Sequence, residues 1–178
     1  MSRFLIITIL ATIVLSVLAQ DNFTLTEIVR NYDPVKDVTT VLLRSKKLSG
    51  PKDRYHSLAY SIYYSGPGQE PTPPRDVNFE LVSVIKARTL NTDLYVVFLL
   101  DGKEMHFGSS RSAIRNPVRG KPWIGERMVL HVPREDFLKL TEAEKLGVKL
   151  GGVTFDFSER DRTAVRAMAE TIRGIRVQ

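Results

Sequence analysis

From Ser57 to Tyr64 the chain alternates without interruption, with Leu58, Tyr60, Ile62 and Tyr64 on one side and Ser57, Ala59, Ser61 and Tyr63 on the other. A period of two is the signature of a strand with one face against a core. The pattern returns at Phe79, Leu81, Ser83, Ile85 and Ala87, and again at Met128, Leu130 and Val132, while Val38 to Leu43 is rich in β-branched residues. Leu94–Leu100 is a continuous apolar run, suited to a central strand covered on both faces. Asp101-Gly102 follows it directly and tolerates the positive φ of a tight turn, so a hairpin to Glu104–Phe107 is predicted. A second two-residue hairpin is signalled by Gly151-Gly152, between Val148–Leu150 and Val153–Phe157. About seven strands in hairpin-like succession, not alternating with helices, predict an α+β fold built on a mostly antiparallel sheet, arranged as a sandwich or half-barrel.

Helices are expected at the ends of this series. Thr24-Leu25-Thr26-Glu27 has the spacing of a capping box, and Leu25, Ile28, Val29 and Tyr32 recur at helical intervals before Pro34, predicting a short first helix. Pro133 suits the first turn of a helix running to about Glu144, with Phe137 and Leu140 on its core side. Ser158 with Asp161 three positions on reads as a cap, and Val165, Met168, Ala169 and Ile172 trace the apolar face of a C-terminal amphipathic helix. The polar stretches Arg44–Arg54 and Gly108–Gly125 read as exposed loops. The segment 66–75 contains Pro67, Pro71, Pro73 and Pro74 and reads as a Pro-rich surface loop, because proline cannot donate to a sheet ladder. No internal repeat is apparent.

The N-terminus carries an address. After Arg3, residues Phe4 to Leu18 are almost wholly apolar and end in Val17-Leu18-Ala19, so Met1–Ala19 reads as a signal peptide cleaved after Ala19. The run is shorter than the roughly twenty residues that cross a bilayer. Its removal leaves 159 of the 178 residues, 20–178, as one expected domain, and lowers the formal charge from +6 to +5 with the loss of Arg3. A chain with no cysteine excludes the disulfide-rich secreted classes and must rely on packing and hydrogen bonds. The positive balance favours anionic surfaces without selecting among them. Asn22-Phe23-Thr24 is a glycosylation sequon.

Catalytic patterns are weak. His56, His106 and His131 lie far apart in sequence, and none has a second metal ligand at recognised spacing, so no metal and no cofactor are expected. No serine stands in a Gly-x-Ser-x-Gly elbow. Arg119-Gly120-Lys121 fails as a phosphate-binding loop, because Pro122 replaces the Ser or Thr that would hold magnesium. The stronger polar signal is the run Arg111, Arg115, Arg119 and Lys121, which together with Arg44–Arg54 offers guanidinium forks to phosphate, sulfate or carboxylate groups. Trp123 lies just beyond and completes the expected ligand-contacting set. Aromatic residues do not interleave with the charges of Gly108–Lys121, so a single-strand nucleic-acid platform is not indicated.

The Leu99-Leu100-Asp101-Gly102-Lys103 hairpin, the strand Glu126 to Val132, a short helix, and Gly147 to Phe157 running into a Ser158-capped helix form a recognisable succession. Over roughly residues 79–173 this pattern resembles small exported bacterial proteins of uncharacterised function. The resemblance implies a sheet closed by a helix and carries over no catalytic residue. The leading expectation is therefore a secreted or periplasmic, non-enzymatic binding or accessory domain that contacts an anionic partner through its Arg-rich loops and meets the membrane only during export. Two rivals are a hydrolase with a cross-strand site of His106, His131 and carboxylates, and a membrane-tethered structural protein retaining Phe4–Leu18 as its anchor.

Overall fold

The computed structural model describes residues 28–48, 55–86, 96–107, 111–119, 123–150 and 153–174. The expected signal peptide, the Thr24–Glu27 box, the sequon, Lys121 and the Gly151-Gly152 turn lie outside them.

The described residues form ten strands and two helices in the order β1 (Ile28–Asp33), β2 (Val38–Leu48), β3 (Tyr55–Pro67), β4 (Asp76–Lys86), β5 (Val96–Leu100), β6 (Lys103–His106), β7 (Arg111–Pro117), β8 (Trp123–Pro133), α1 (Arg134–Glu142), β9 (Leu146–Leu150), β10 (Val153–Asp156) and α2 (Glu159–Arg173). One sheet has six strands in the order β1-β2-β3-β4-β8-β7, and the other has four in the order β10-β9-β5-β6. Every pairing is antiparallel. The α+β class and the C-terminal helix agree with the sequence reading, but the strand count exceeds seven.

Three segments that the sequence assigned differently are strand, and two of them, β1 and β7, add to the count. Ile28–Asp33 is not a helix: it pairs with Val38–Leu43 across the turn Pro34–Asp37, where the Asp33 carboxylate accepts from Val35 N at 3.0 Å and Lys36 N at 3.2 Å. An Asx turn followed by Asp37 at φ 50° closes a hairpin, and six ladder partners outweigh a marginal one-turn helical preference. Arg44 to Leu48 is not loop but the second half of β2, continued past an irregularity between Leu43 and Lys46. Arg111 to Pro117 is likewise a strand, the edge partner of β8, with a second irregularity between Arg111 and Ile114. Edge strands tolerate charges because one side of the backbone faces water.

Elsewhere local chemistry predicted the outcome. Asp101 (φ 49°) and Gly102 (φ 84°) make the left-handed pair of a two-residue turn, and β5 pairs with β6 from Leu100–Lys103 onward. Leu58, Tyr60, Ile62 and Tyr64 are all buried, together with Val77, Phe79 and Leu81 on β4 and Met128, Leu130 and Val132 on β8. This inner face meets the four-stranded sheet and both helices in a single apolar cluster. Phe79 is its centre, with ring centroids 5.7 Å from Tyr60, 4.9 Å from Phe98 on β5 and 6.3 Å from Phe157. Helix α2 begins in a capping box: Asp161 N donates to Ser158 Oγ, and Ser158 N donates to Asp161 Oδ2 at 3.0 Å. It buries Ala164, Val165, Met168, Ala169 and Ile172. Gly174 at φ 81° ends it, its N–H turned back to the carbonyls of Glu170 and Thr171.

Candidate functional site

The Pro-rich segment after β3 is held against the sheet at three places. Buried Thr39 donates its hydroxyl to Gly68 O at 2.5 Å, with Gln69 O at 3.1 Å, and Gly68 N donates to Asp37 O at 2.9 Å. At the far end Arg134 N, at the start of α1, donates to Arg75 O at 2.9 Å. Between these anchors Pro71 lies so close to the end of β3 that a Cβ on Gly66 would stand 2.7 Å from the Pro71 Cβ. Proline fixes φ and stiffens the segment, so these anchors define a wall and not a tether.

Behind that wall is a pocket of about 110 Å³ lined by Arg30, Tyr64, Glu70, Pro71, Pro73, Thr171 and Gly174. Four elements supply it. Arg30 and Tyr64 come from β1 and β3 and flank Val41 of β2 in one cross-strand row. Glu70, Pro71 and Pro73 come from the Pro-rich segment, and Thr171 and Gly174 from the C-terminal end of α2.

Tyr64 is the notable member. It is only 3% exposed. Burial raises its pKa, against a smaller opposing pull from the positive charge of Arg30, so at neutral pH the group is a neutral donor. Arg30 forms no ion pair with any described acid, whereas seven other cationic side chains do. Two donors that could serve an anionic oxygen thus face one cavity. Thr171 spends its hydroxyl proton on Ala167 O at 3.1 Å, leaving its lone pairs toward other donors. Glu70 adds a carboxylate, and the helix end adds the negative pole of the α2 dipole.

Replacing Gly66 with alanine forces Pro71 outward, because a pyrrolidine ring has no rotamer to escape into. We expect a loss of about 1–3 kcal/mol in unfolding free energy and a loosened pocket. Urea denaturation with tyrosine fluorescence would show it, and an unchanged midpoint would mean that the loop does not press on β3.

The residues singled out by sequence are placed elsewhere. Arg111 and Arg115 stand on edge strand β7, Arg119 is exposed just after it, and Trp123 opens β8 opposite Lys86. Arg119 is not among the residues lining the pocket, and β7 forms the edge of the six-stranded sheet opposite to β1. His131 is exposed on the outer face of β8, between inward Leu130 and Val132, whereas exposed His106 ends β6 in the other sheet with Nε2 3.4 Å from Glu104 Oε2. The two histidines therefore do not meet, and no cluster of metal-ligating side chains occurs among the described residues. His56 lies at the irregularity between Tyr55 and Ser57. Sequence reasoning missed Arg30, which it placed on a helix, and Glu70, which it placed on a solvated loop. The usable signal for Tyr64 was its position as the last inward residue of the alternating strand, where the core gives way to the edge.

Two further polar groups are buried on the inner face, Ser83 and Glu126, which are register partners across β4 and β8. Among the described residues Ser83 Oγ has no hydrogen-bond partner. No family model, curated protein or solved structure matches the chain.

Proposed function

We propose that the chain is an exported binding domain whose ligand presents an anionic oxygen, carboxylate or phosphate-like, to Arg30 and Tyr64. The observation that carries this reading is the pocket that buried Tyr64 lines together with Arg30, a cation in no ion pair with a described acid. A hydrogen bond from such a donor to a charged ligand oxygen contributes about 1.5–3 kcal/mol. The positive net charge of the chain aids capture of an anion at long range. Export rests on the Met1–Ala19 segment, and N-terminal sequencing that finds a product beginning at Gln20 would support it over the anchored alternative. Among the described residues no helix is long and apolar enough to cross a membrane.

The test is a titration of the purified protein with acetate, phosphate and chloride followed by amide chemical shifts. Acetate or phosphate should perturb residues around Arg30, Tyr64 and Pro71. Arg30→Gln and Tyr64→Phe should each weaken binding about tenfold, the equivalent of one charge-assisted hydrogen bond. Shifts confined to other surfaces, or variants that bind as tightly as the parent, would reject the pocket.

A second reading is favoured by the position of β7 at the edge of the six-stranded sheet, where its basic residues stand along an open border. Arg111, Arg115 and Arg119, with Lys121 and Trp123, would then contact a larger anionic partner. Serine at the three arginines should reduce retention on heparin or anionic vesicles, and undiminished retention would remove this surface from consideration.

A further inference from the structure

The edge of a sheet is a row of unpaired N–H and C=O groups that accepts another strand unless something prevents it. Among the described residues the two sheets end in four edge strands, β1 and β7 in the larger and β10 and β6 in the smaller. Three of the four carry a protecting device. β6 and β10 are only four residues long, and Lys103, Glu104 and His106 make β6 mostly charged. β7 bears Arg111 and Arg115, is irregular between Arg111 and Ile114, and ends at Pro117. β1 has no such protection. Its six residues pair with β2 in one unbroken register, none of them is proline, and Arg30, Asn31 and Tyr32 are exposed. The Asp33 carboxylate is turned back into the hairpin, where it accepts from Val35 N and Lys36 N and lies 3.6 Å from Lys36 Nζ. That leaves Arg30 as the remaining charge of the strand, and a single cation next to an exposed aromatic ring protects an edge poorly.

The residues of β1 suit a second β1. When identical strands pair antiparallel, opposed side chains share a face, so the two-fold axis passes through a residue that meets its own copy. Two such registers overlap over five residues. Centred on Arg30, the pairing sets guanidinium against guanidinium, and like charges directly opposite are destabilising. Centred on Asn31, it sets Arg30 opposite Tyr32 of the second copy and Tyr32 opposite that copy's Arg30, a cation–π pair that occurs twice by symmetry. The ring is already held in place, because Tyr32 Oη donates to Asp37 Oδ1 at 2.8 Å. On the axis Asn31 meets Asn31, and each amide can donate to and accept from the other.

We infer that β1 is a self-association edge, to which a second copy of the chain adds its own β1 antiparallel about Asn31. The two six-stranded sheets then run on into one another. A strand pair this short is at the small end of specific interfaces, so the dimer is weak and depends on concentration.

Sedimentation equilibrium from micromolar to millimolar concentration tests the pairing, with the parent protein compared to Asn31→Lys and Asn31→Glu. Asn31 is exposed and is not among the residues lining the pocket, and circular dichroism melts establish that both variants are folded. The parent should approach twice its monomer mass as concentration rises. Each variant sets two like charges against each other on the axis and should weaken the dimer about tenfold. An equimolar mixture of the two variants should recover the dimer, since opposite charges then meet across the axis. A parent that stays monomeric at millimolar concentration overturns the pairing and leaves the edge to a strand of another protein. A dimer that both variants keep at full strength, or a loss that the mixture does not restore, also overturns it.

Discussion

Phe79→Ala should be the most damaging single truncation in the described fold, lowering the unfolding free energy by about 3–5 kcal/mol. The ring is wholly buried and sits where the two sheets meet, within aromatic contact of Tyr60 on its own sheet, Phe98 on the other and Phe157 at the entry to α2. Its removal leaves a void bounded by three stiff rings that cannot close in without leaving their own pockets, so the cavity cost adds to the lost burial. A domain of this size holds only about 5–15 kcal/mol in total. At roughly 2–4 °C per kcal/mol the melting temperature should fall by about 10 °C. Phe79→Leu keeps much of the volume and should cost no more than about 1.5 kcal/mol. Calorimetry on both variants checks the order, and a Phe79→Ala loss below that of Phe79→Leu would refute the central role of the ring.

Asp161→Ala comes second, at about 2–4 kcal/mol. The carboxylate is 8% exposed and does two jobs at the start of α2. It accepts from Ser158 N at 3.0 Å and from Ser158 Oγ at 2.5 Å, and its Oδ1 lies 3.4 Å from the Tyr60 hydroxyl in the core. Loss of a cap costs about 1 kcal/mol, and stranding the donors it served adds about 1–3 kcal/mol. Ser158→Ala removes only the cap and should cost about 1 kcal/mol. Chemical denaturation separates the two, and equal losses would mean that Asp161 acts through the cap alone. Because α2 also forms one end of the pocket, a helix loosened at its start should weaken ligand binding at Thr171 and Gly174, many residues away.

How far the sequence reached follows from the range of the forces involved. Turn chemistry is local: Asp101-Gly102 and Ser158-x-x-Asp161 specify their backbone through a left-handed preference and a side-chain cap, and both structures form where the sequence placed them. Strong alternation over eight residues, as in Ser57–Tyr64, also suffices, since one face must be buried whatever covers it. Ile28–Asp33 was misread because six residues with mixed periodicity fit a helix and a strand alike, and the decision was made by the ladder with Val38–Leu43. Arg44–Leu48 and Arg111–Pro117 were misread because charge marks exposure, not the absence of a strand, and an outward face or an edge accommodates it.

The candidate site was least legible of all. Its members are separated by as many as 144 positions, from Arg30 to Gly174, and nothing in the local sequence of any one of them signals a cavity. By itself the sequence determined an antiparallel α+β chain with no cysteine, its best hairpin turn, its C-terminal helix and the alternation that buries Tyr64. Only the tertiary structure decided that β1 runs beside β2, that the proline loop folds back over Gly66, and that Arg30, Tyr64, Glu70 and the end of α2 share one space. Strand order and loop docking depend on contacts between residues distant in the chain, and such contacts exist only once the sheet has assembled.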